Sequence, residues 1–287
     1  MTGRGIMMLA APGAFLLVAL MIVPALAVLP VALTDWDFGK GNIDFVGLAN
    51  FIELARDPRF VAAFLNTGLY TLVVVPVTLL LGFAIANAIE GAGAMKPFYR
   101  AAHFLPVVAT MSAMAIVWEA LLHPTVGLLN QTLGLFGFAP RGWLQSEALV
   151  LPTLIAIGVW QNIGFAVVMF LAALRTIPRE LLDAAIIDGA TRPWDRLRAV
   201  VLPLIAPIAL FITVITAKRA LAVYDTVAVL TLGGPGHSSE VMLHLLYVES
   251  FEQLRAGYGA AITVVYLLML LSVTGLQRAL DRKVHYR

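Results

Sequence analysis

The chain has 287 residues, 61% of them apolar and only 13% charged, with a mean hydropathy of +0.91; soluble domains run at roughly 45–50% and about 25%, so an ordinary soluble globule is excluded. Nineteen basic against seventeen acidic residues leave a formal charge of +2, which argues against a nucleic-acid binder. Cysteine is absent, removing disulfides, thiolate metal sites and cysteine nucleophiles.

A bilayer core about 30 Å thick takes about 20 apolar residues at 1.5 Å rise per residue. Six stretches meet that length: residues 6–33, 67–88, 101–122, 148–174, 204–230 and 257–276. They are apolar all round, so they read as helices that satisfy their own backbone in lipid rather than as alternating strands. The expectation is an all-α membrane protein with six transmembrane helices, one domain over residues 1–287. Within the first stretch, Arg4 and the later Ala25-Leu26-Ala27 resemble a secretory signal. The apolar run continues to Leu33, beyond the roughly 7–15 residues of such a signal, so it is read as a retained span.

The loop 34–66 has room for a short surface helix around 48–65, whereas 123–147, with Gly127, Gly134, Gly137, Pro140 and Gly142, reads as turns. Pro76, Pro106 and Pro207 mark expected kinks. In the fourth span Gln161 and Asn162 stand beside Trp160; amides at that depth commonly join helices. Lys218 and Arg219 lie inside the fifth span. They either snorkel to the outer interface, pair with Glu119 or Asp225, or line a polar path.

Counting basic residues in the short loops orients the bundle. One side holds Arg4, Lys96, Arg100, Arg175, Arg179, Arg192, Arg196, Arg198, Arg278, Arg282, Lys283 and Arg287. The other holds Lys40, Arg56, Arg59, Arg141 and Arg255. Twelve against five places both termini in the cytoplasm.

The cytoplasmic loop 175–203 has plain helix grammar. Pro178 suits a first turn, Glu180 and Asp183 put negative charge near the N-terminus, and Gly189 suits a C-terminal stop. Trp194, Leu197 and Val201 then recur at helical spacing among Arg192, Arg196 and Arg198. Such a piece fits a groove in another protein, or lies on lipid headgroups.

The string Ile177-Pro178-x-Glu180-Leu181-x-Asp183-Ala184-Ala185-x-x-Asp188-Gly189-Ala190, followed by Val200-Val201-Leu202-Pro203, resembles the EAA loop of bacterial ABC-importer permeases, carbohydrate-uptake branch. Phe45-Val46-Gly47-Leu48-x-Asn50-Phe51, Asn66-Thr67, Tyr224-Asp225-x-Val227, Leu230-Thr231-x-Gly233-Gly234-Pro235 and Gly257-Tyr258-Gly259-Ala260-Ala261 are similar to its other landmarks. Two features depart from it. Ten residues, Ala190–Ala199, stand where the family has nine, and Lys218-Arg219 falls in a stretch that is generally less charged.

The resemblance implies a permease in the bacterial inner membrane that performs no covalent chemistry itself. Its implied partners are two cytosolic ABC ATPase subunits holding ATP and Mg, a second and non-identical permease, and an extracytoplasmic solute-binding protein. A carbohydrate and the membrane lipid complete the list, with no nucleic acid. In agreement, the chain has no Gly-x-x-x-x-Gly-Lys-Ser/Thr phosphate loop. Carried onto this sequence, Glu180, Asp183, Ala184, Ala185, Asp188 and Gly189 match the ATPase-coupling motif. A substrate path would draw on Trp160, Gln161, Asn162, Lys218, Arg219, Tyr224 and Asp225, and the two basic groups would favour an anionic sugar derivative. The stretch 231–239 is an outside loop where the binding protein would dock. An ion-coupled secondary transporter of a small polar solute is the alternative class, expected to carry intramembrane carboxylates and inverted repeats.

Overall fold

The computed structural model describes residues 11–39, 43–91 and 95–284. The start of the first apolar stretch with Arg4, and also Lys40 and Arg287, lie outside the described residues. In chain order the helices are α1 (Ala11–Val31), α2 (Ala49–Arg56), α3 (Pro58–Glu90), α4 (Lys96–Val108), α5 (Met111–Leu121), α6 (Leu128–Leu135), α7 (Glu147–Arg175), α8 (Arg179–Ile187), α9 (Pro193–Arg196), α10 (Leu202–Leu221), α11 (Asp225–Leu230), α12 (Met242–Tyr247) and α13 (Ala256–Val284). Among the described residues there is no strand, only an isolated bridge between Thr34 and Phe45. The protein is all-α.

Five helical runs are long and apolar enough to cross a membrane, and α4 with α5 makes a sixth if that bent pair counts as one span. The two halves of this third apolar stretch meet at 100°. Ala109 and Thr110, both with ψ near 136°, are extended between them, and Pro106 has already removed one helical donor. The loop 123–147, expected as turns, contains the eight-residue α6. There Asn130 donates to Pro124 O and Arg141 O, both at 2.8 Å, and accepts from Trp143 Nε1 at 2.9 Å.

Two π turns precede prolines in the same way. In Val18–Ile22 the Val23 N–H reaches Val18 O and Pro24 follows; in Leu197–Val201 the Leu202 N–H reaches Leu197 O and Pro203 follows. A proline ring crowds the carbonyl four residues back and supplies no donor. The wider turn gives that ring room.

The chain divides into two compact units, Met1–Val61 with Met242–Met269 and Ala62–Val241 with Leu270–Arg287. In the first, the buried Asn50 side chain donates to Ala32 O at 2.9 Å and Thr34 O at 2.8 Å, capping the chain where α1 ends. Arg255 binds Glu53 at 2.6 Å and Glu249 at 3.3 Å, and lies over the Tyr258 ring. Burial works against the Arg255 charge, but the hydrogen bond to Glu53 and the Glu53 and Glu249 charges outweigh it and raise its pKa. Although apolar throughout, α1 buries none of its residues, leaving its surface for lipid or another subunit.

The second unit is organised by α7. A Cβ added at Gly158 would lie 2.0 Å from the Tyr70 hydroxyl, and one at Gly164 would lie 2.0 Å from His103 O. On α3, Gly82 meets Ala166, with 2.6 Å between an added Cβ and that of Ala166. Lipid tails are as apolar as leucine, so helices hold together through close van der Waals approach at small residues. One apolar cluster surrounds Tyr70, Val74, Leu154, Ile157, Val223 and Val227, and another surrounds Ala86, Val167, Phe170, Ile205 and Ile212. Gly164→Val is expected to destabilise the protein by about 1–3 kcal/mol through overpacking, since its obstacle is backbone. Gly275→Ala, inside α13 with nothing within 4 Å, is expected to leave stability unchanged or raise it by up to about 1 kcal/mol; thermal unfolding in detergent compares the two.

Candidate functional site

The loop after α7 folds as its residues direct. Pro178, with ψ 136°, stands before α8, and Glu180 occupies the first turn, where a carboxylate meets the positive end of the helix dipole. Gly189 has φ +97°. Its N–H donates to Ile186 O at 3.1 Å, and the next N–H, from Ala190, donates to Ala185 O at 2.8 Å. That pair of bonds is a Schellman stop, for which a left-handed residue is required.

The motif residues divide by exposure. Ala185 is buried, while Glu180, Asp183, Ala184, Asp188 and Gly189 are exposed. Ala185 joins Leu181, Ala199 and Pro203 in lining a groove of about 480 Å³. Ile187 is 86% exposed and Trp194 65% exposed, so this projection shows large apolar groups beside its carboxylates. The ten-residue stretch that departs from the family spacing runs into the π turn Leu197–Val201.

The fifth apolar stretch is not one continuous helix. It breaks after α10, where Ala222, Val223 and Tyr224 precede α11, with Tyr224 at φ −144° and ψ −61°. Non-helical backbone at membrane depth is tolerated where it lines a cavity, and a cavity of about 300 Å³ lies at this break. Gln161, Asn162, Arg219, Tyr224 and Asp225 all line it. Asn162 donates to Gly158 O at 2.8 Å within its own helix. The Arg219 guanidinium sits 4.8 Å from the Phe165 ring centroid, a cation–π contact.

Two candidates fall elsewhere. Trp160 packs edge-on against Trp118, with centroids 5.3 Å apart, and Lys218 is exposed; neither is among the cavity walls. Among the described residues, neither Lys218 nor Arg219 is paired with Glu119 or Asp225. Sequence reasoning missed Tyr70, Met111 and Thr226, which also line the cavity. The acidic Asp225 directly after Tyr224 was the available sign of a new helix start there.

Beyond α11 the chain forms a tight loop. Leu232, Gly233, Gly236 and His237 all have positive φ. The Ser239 hydroxyl donates to Thr231 Oγ1 at 2.8 Å. From α3, Asn66 Nδ2 reaches His237 O and Ser238 O at 3.3 Å and Glu240 O at 2.9 Å. Two sequence landmarks about 170 residues apart are thus parts of one structure.

The family model described as binding-protein-dependent transport system inner membrane component matches residues 55–286. Similar relatives include the probable ABC transporter permease protein YurN of Bacillus subtilis, 31% identical over 86% of this chain and 86% of that one. Another is the sn-glycerol-3-phosphate transport system permease protein UgpA of Pectobacterium atrosepticum, 30% identical over 87% and 84%. The fold is similar to that in the crystal structure of a bacterial ABC transporter involved in the import of the acidic polysaccharide alginate, with a TM-score of 0.77, 21% identity and 93% of each chain covered.

Asn66→Leu is expected to release the loop 231–240. Amide hydrogen exchange there should rise about five- to tenfold, the loss of roughly 1–1.5 kcal/mol of local hydrogen bonding, while exchange in α7 stays unchanged.

Proposed function

The chain belongs to the family of binding-protein-dependent transport system inner membrane components, and from that premise we propose that it is the permease of an ATP-driven importer whose solute is a sugar derivative carrying negative charge. Membership in this family sets aside the ion-coupled alternative. In our reading two cytosolic ATPase subunits with ATP and Mg drive the assembly, a second permease completes the path, and an extracytoplasmic binding protein delivers solute at the loop 231–240. The loop bearing α8 and both termini are cytoplasmic.

The observation that carries the coupling role is the surface of α8. It buries only Ala185 and presents Ile187 and Leu181 beside Glu180, Asp183 and Asp188. With Arg179 exposed beside these carboxylates, α8 carries charge of both signs, which suits a protein groove better than a uniformly anionic headgroup layer. Movement of the motor would reach α10 through the short rigid path α8–α9. A helix stop that requires φ +97° at Gly189 sets the angle of that path.

The solute class is supported by the cavity at the α10–α11 break. Gln161, Asn162 and Tyr70 can exchange hydrogen bonds with hydroxyls, Asp225 can accept from them, and Arg219 supplies the cationic donor group for an anionic substituent. The names of the similar proteins point the same way, one to glycerol phosphate and one to an acidic polysaccharide.

Two experiments test this reading. In vesicles holding the assembled importer, Gly189→Val is expected to lower uptake about tenfold while ATP hydrolysis continues. A side chain in the left-handed region costs roughly 1–2 kcal/mol; Gly189→Asn, tolerant of that region, should retain most uptake. Full coupled transport by the Val variant would remove the lever. For the path, Arg219→Gln should cut uptake of an anionic sugar about tenfold or more and leave a neutral analogue within about twofold, as expected for loss of a charged hydrogen bond of about 1.5–3 kcal/mol. Lys218→Gln should do neither. Equal loss for both solutes would defeat the anionic assignment.

A further inference from the structure

Among the described residues, Arg219 is the one basic group in the wall of the cavity at the end of α10, and it forms no ion pair there. What its guanidinium does meet is an aromatic face. Its Cζ lies over the ring of Phe165 on α7, 4.8 Å from the centroid. Phe165 is half-buried and is not itself a wall of the cavity. The same ring meets Phe211 on α10, with centroids 6.5 Å apart and planes inclined at 48°. Phe211 precedes Arg219 by eight residues, about 12 Å back along the helix, and positions i and i+8 share a helix face. One ring on α7 therefore touches both ends of a stripe on α10. It draws Arg219 back along its helix, the direction in which helical side chains tilt, and away from the end to which a snorkelling side chain would reach.

A guanidinium offers two kinds of surface. Its flat faces take aromatic rings, and its edges carry five N–H donors for oxygen acceptors. A carboxylate partner would occupy an edge and cancel the charge. A ring occupies a face and does neither. A cation within a span is costly, and Phe165 offsets part of that cost while the donors stay available.

We propose that Phe165 is a positioning residue for solute selectivity, holding the Arg219 guanidinium by one face so that an N–H edge stays free for the anionic group of the solute. This rests on the reading above in which Arg219 meets that group. Tyr70, Gln161 and Asn162 serve uncharged hydroxyls, so the ring governs discrimination between charged and neutral sugars and not affinity for both.

The test is the binding of glucose 6-phosphate and of glucose to the assembled importer in nanodiscs, without its binding protein. The ratio of the two dissociation constants measures the preference. Wild type is expected to bind the phosphate ester more tightly, and Arg219→Gln to abolish that preference. Phe165→Leu should lower it about two- to fivefold, the worth of a cation–π contact at an exposed site, by weakening the phosphate ester and leaving glucose unchanged. Phe165→Tyr keeps a ring face and should restore the preference. In the Arg219→Gln background, Phe165→Leu should add nothing. Because leucine also alters packing, fluorinated phenylalanines at position 165 supply a second measure. Stepwise fluorination withdraws negative charge from the ring face with little change of shape, so the preference should fall with each fluorine. A constant preference across that series, or equal weakening of both sugars, overturns the positioning role when Arg219→Gln still abolishes the preference; the anionic reading then stands without it. If wild type shows no preference, or Arg219→Gln retains it, the anionic reading fails and the role of Phe165 falls with it.

Discussion

Removing water from around a helix removes the force that ordinarily drives helices together, and the whole bundle has to answer that loss. In lipid only close contact, hydrogen bonding and shape remain. The Ala62–Val241 part of the chain meets this by making α7 thin on the faces where others cross it. Tyr70 lies on Gly158, the backbone of His103 lies on Gly164, and Gly82 lies on Ala166. Each contact exists only because a side chain is missing or minimal. Were α7 a generic leucine-rich span, hydropathy would be preserved and the packing would not.

That tight centre makes the broken helix beside it sustainable. Between Leu221 and Asp225 the backbone leaves helical geometry, and at membrane depth such freed groups are costly unless they face a polar space. Here the break borders the same cavity as Gln161, Asn162 and Arg219. Tyr70 contributes to both arrangements: it packs on Gly158 and also borders the cavity. A helix crossing and a polar chamber therefore share a side chain.

How much of this could be read from residues alone depended on how local the determinant was. Gly189 and Glu180 were legible as helix stop and helix start because capping needs only near neighbours in the chain, and the Schellman bonds at Ala190 and Gly189 follow from that. The all-helical character was legible because lipid leaves the backbone few choices. The break at Ala109-Thr110 was not, since two residues hardly alter a 20-residue average. Trp160 stood among the candidates for a substrate path, yet it packs against Trp118, some 40 residues earlier in the chain, and no periodicity reveals such a pairing. Lys218 and Arg219 are adjacent and chemically alike, but neighbouring positions on a helix diverge by about 100°. Only Arg219 turns to the cavity.

The surplus residue within Ala190–Ala199 illustrates why spacing is a poor guide to consequence. One residue inserted into an ideal α-helix rotates everything beyond it by about 100° and shifts it by 1.5 Å, which would swing α10 and carry Arg219 away from the chamber. Ala190, Thr191 and Arg192, however, form non-helical backbone before α9, and a connection of that kind takes an extra residue without turning the helix beyond it. The π turn Leu197–Val201 serves a different need: it sits directly before Pro203, where the wider loop leaves room for the ring. A bulge there forfeits little hydrogen bonding that proline had not already removed.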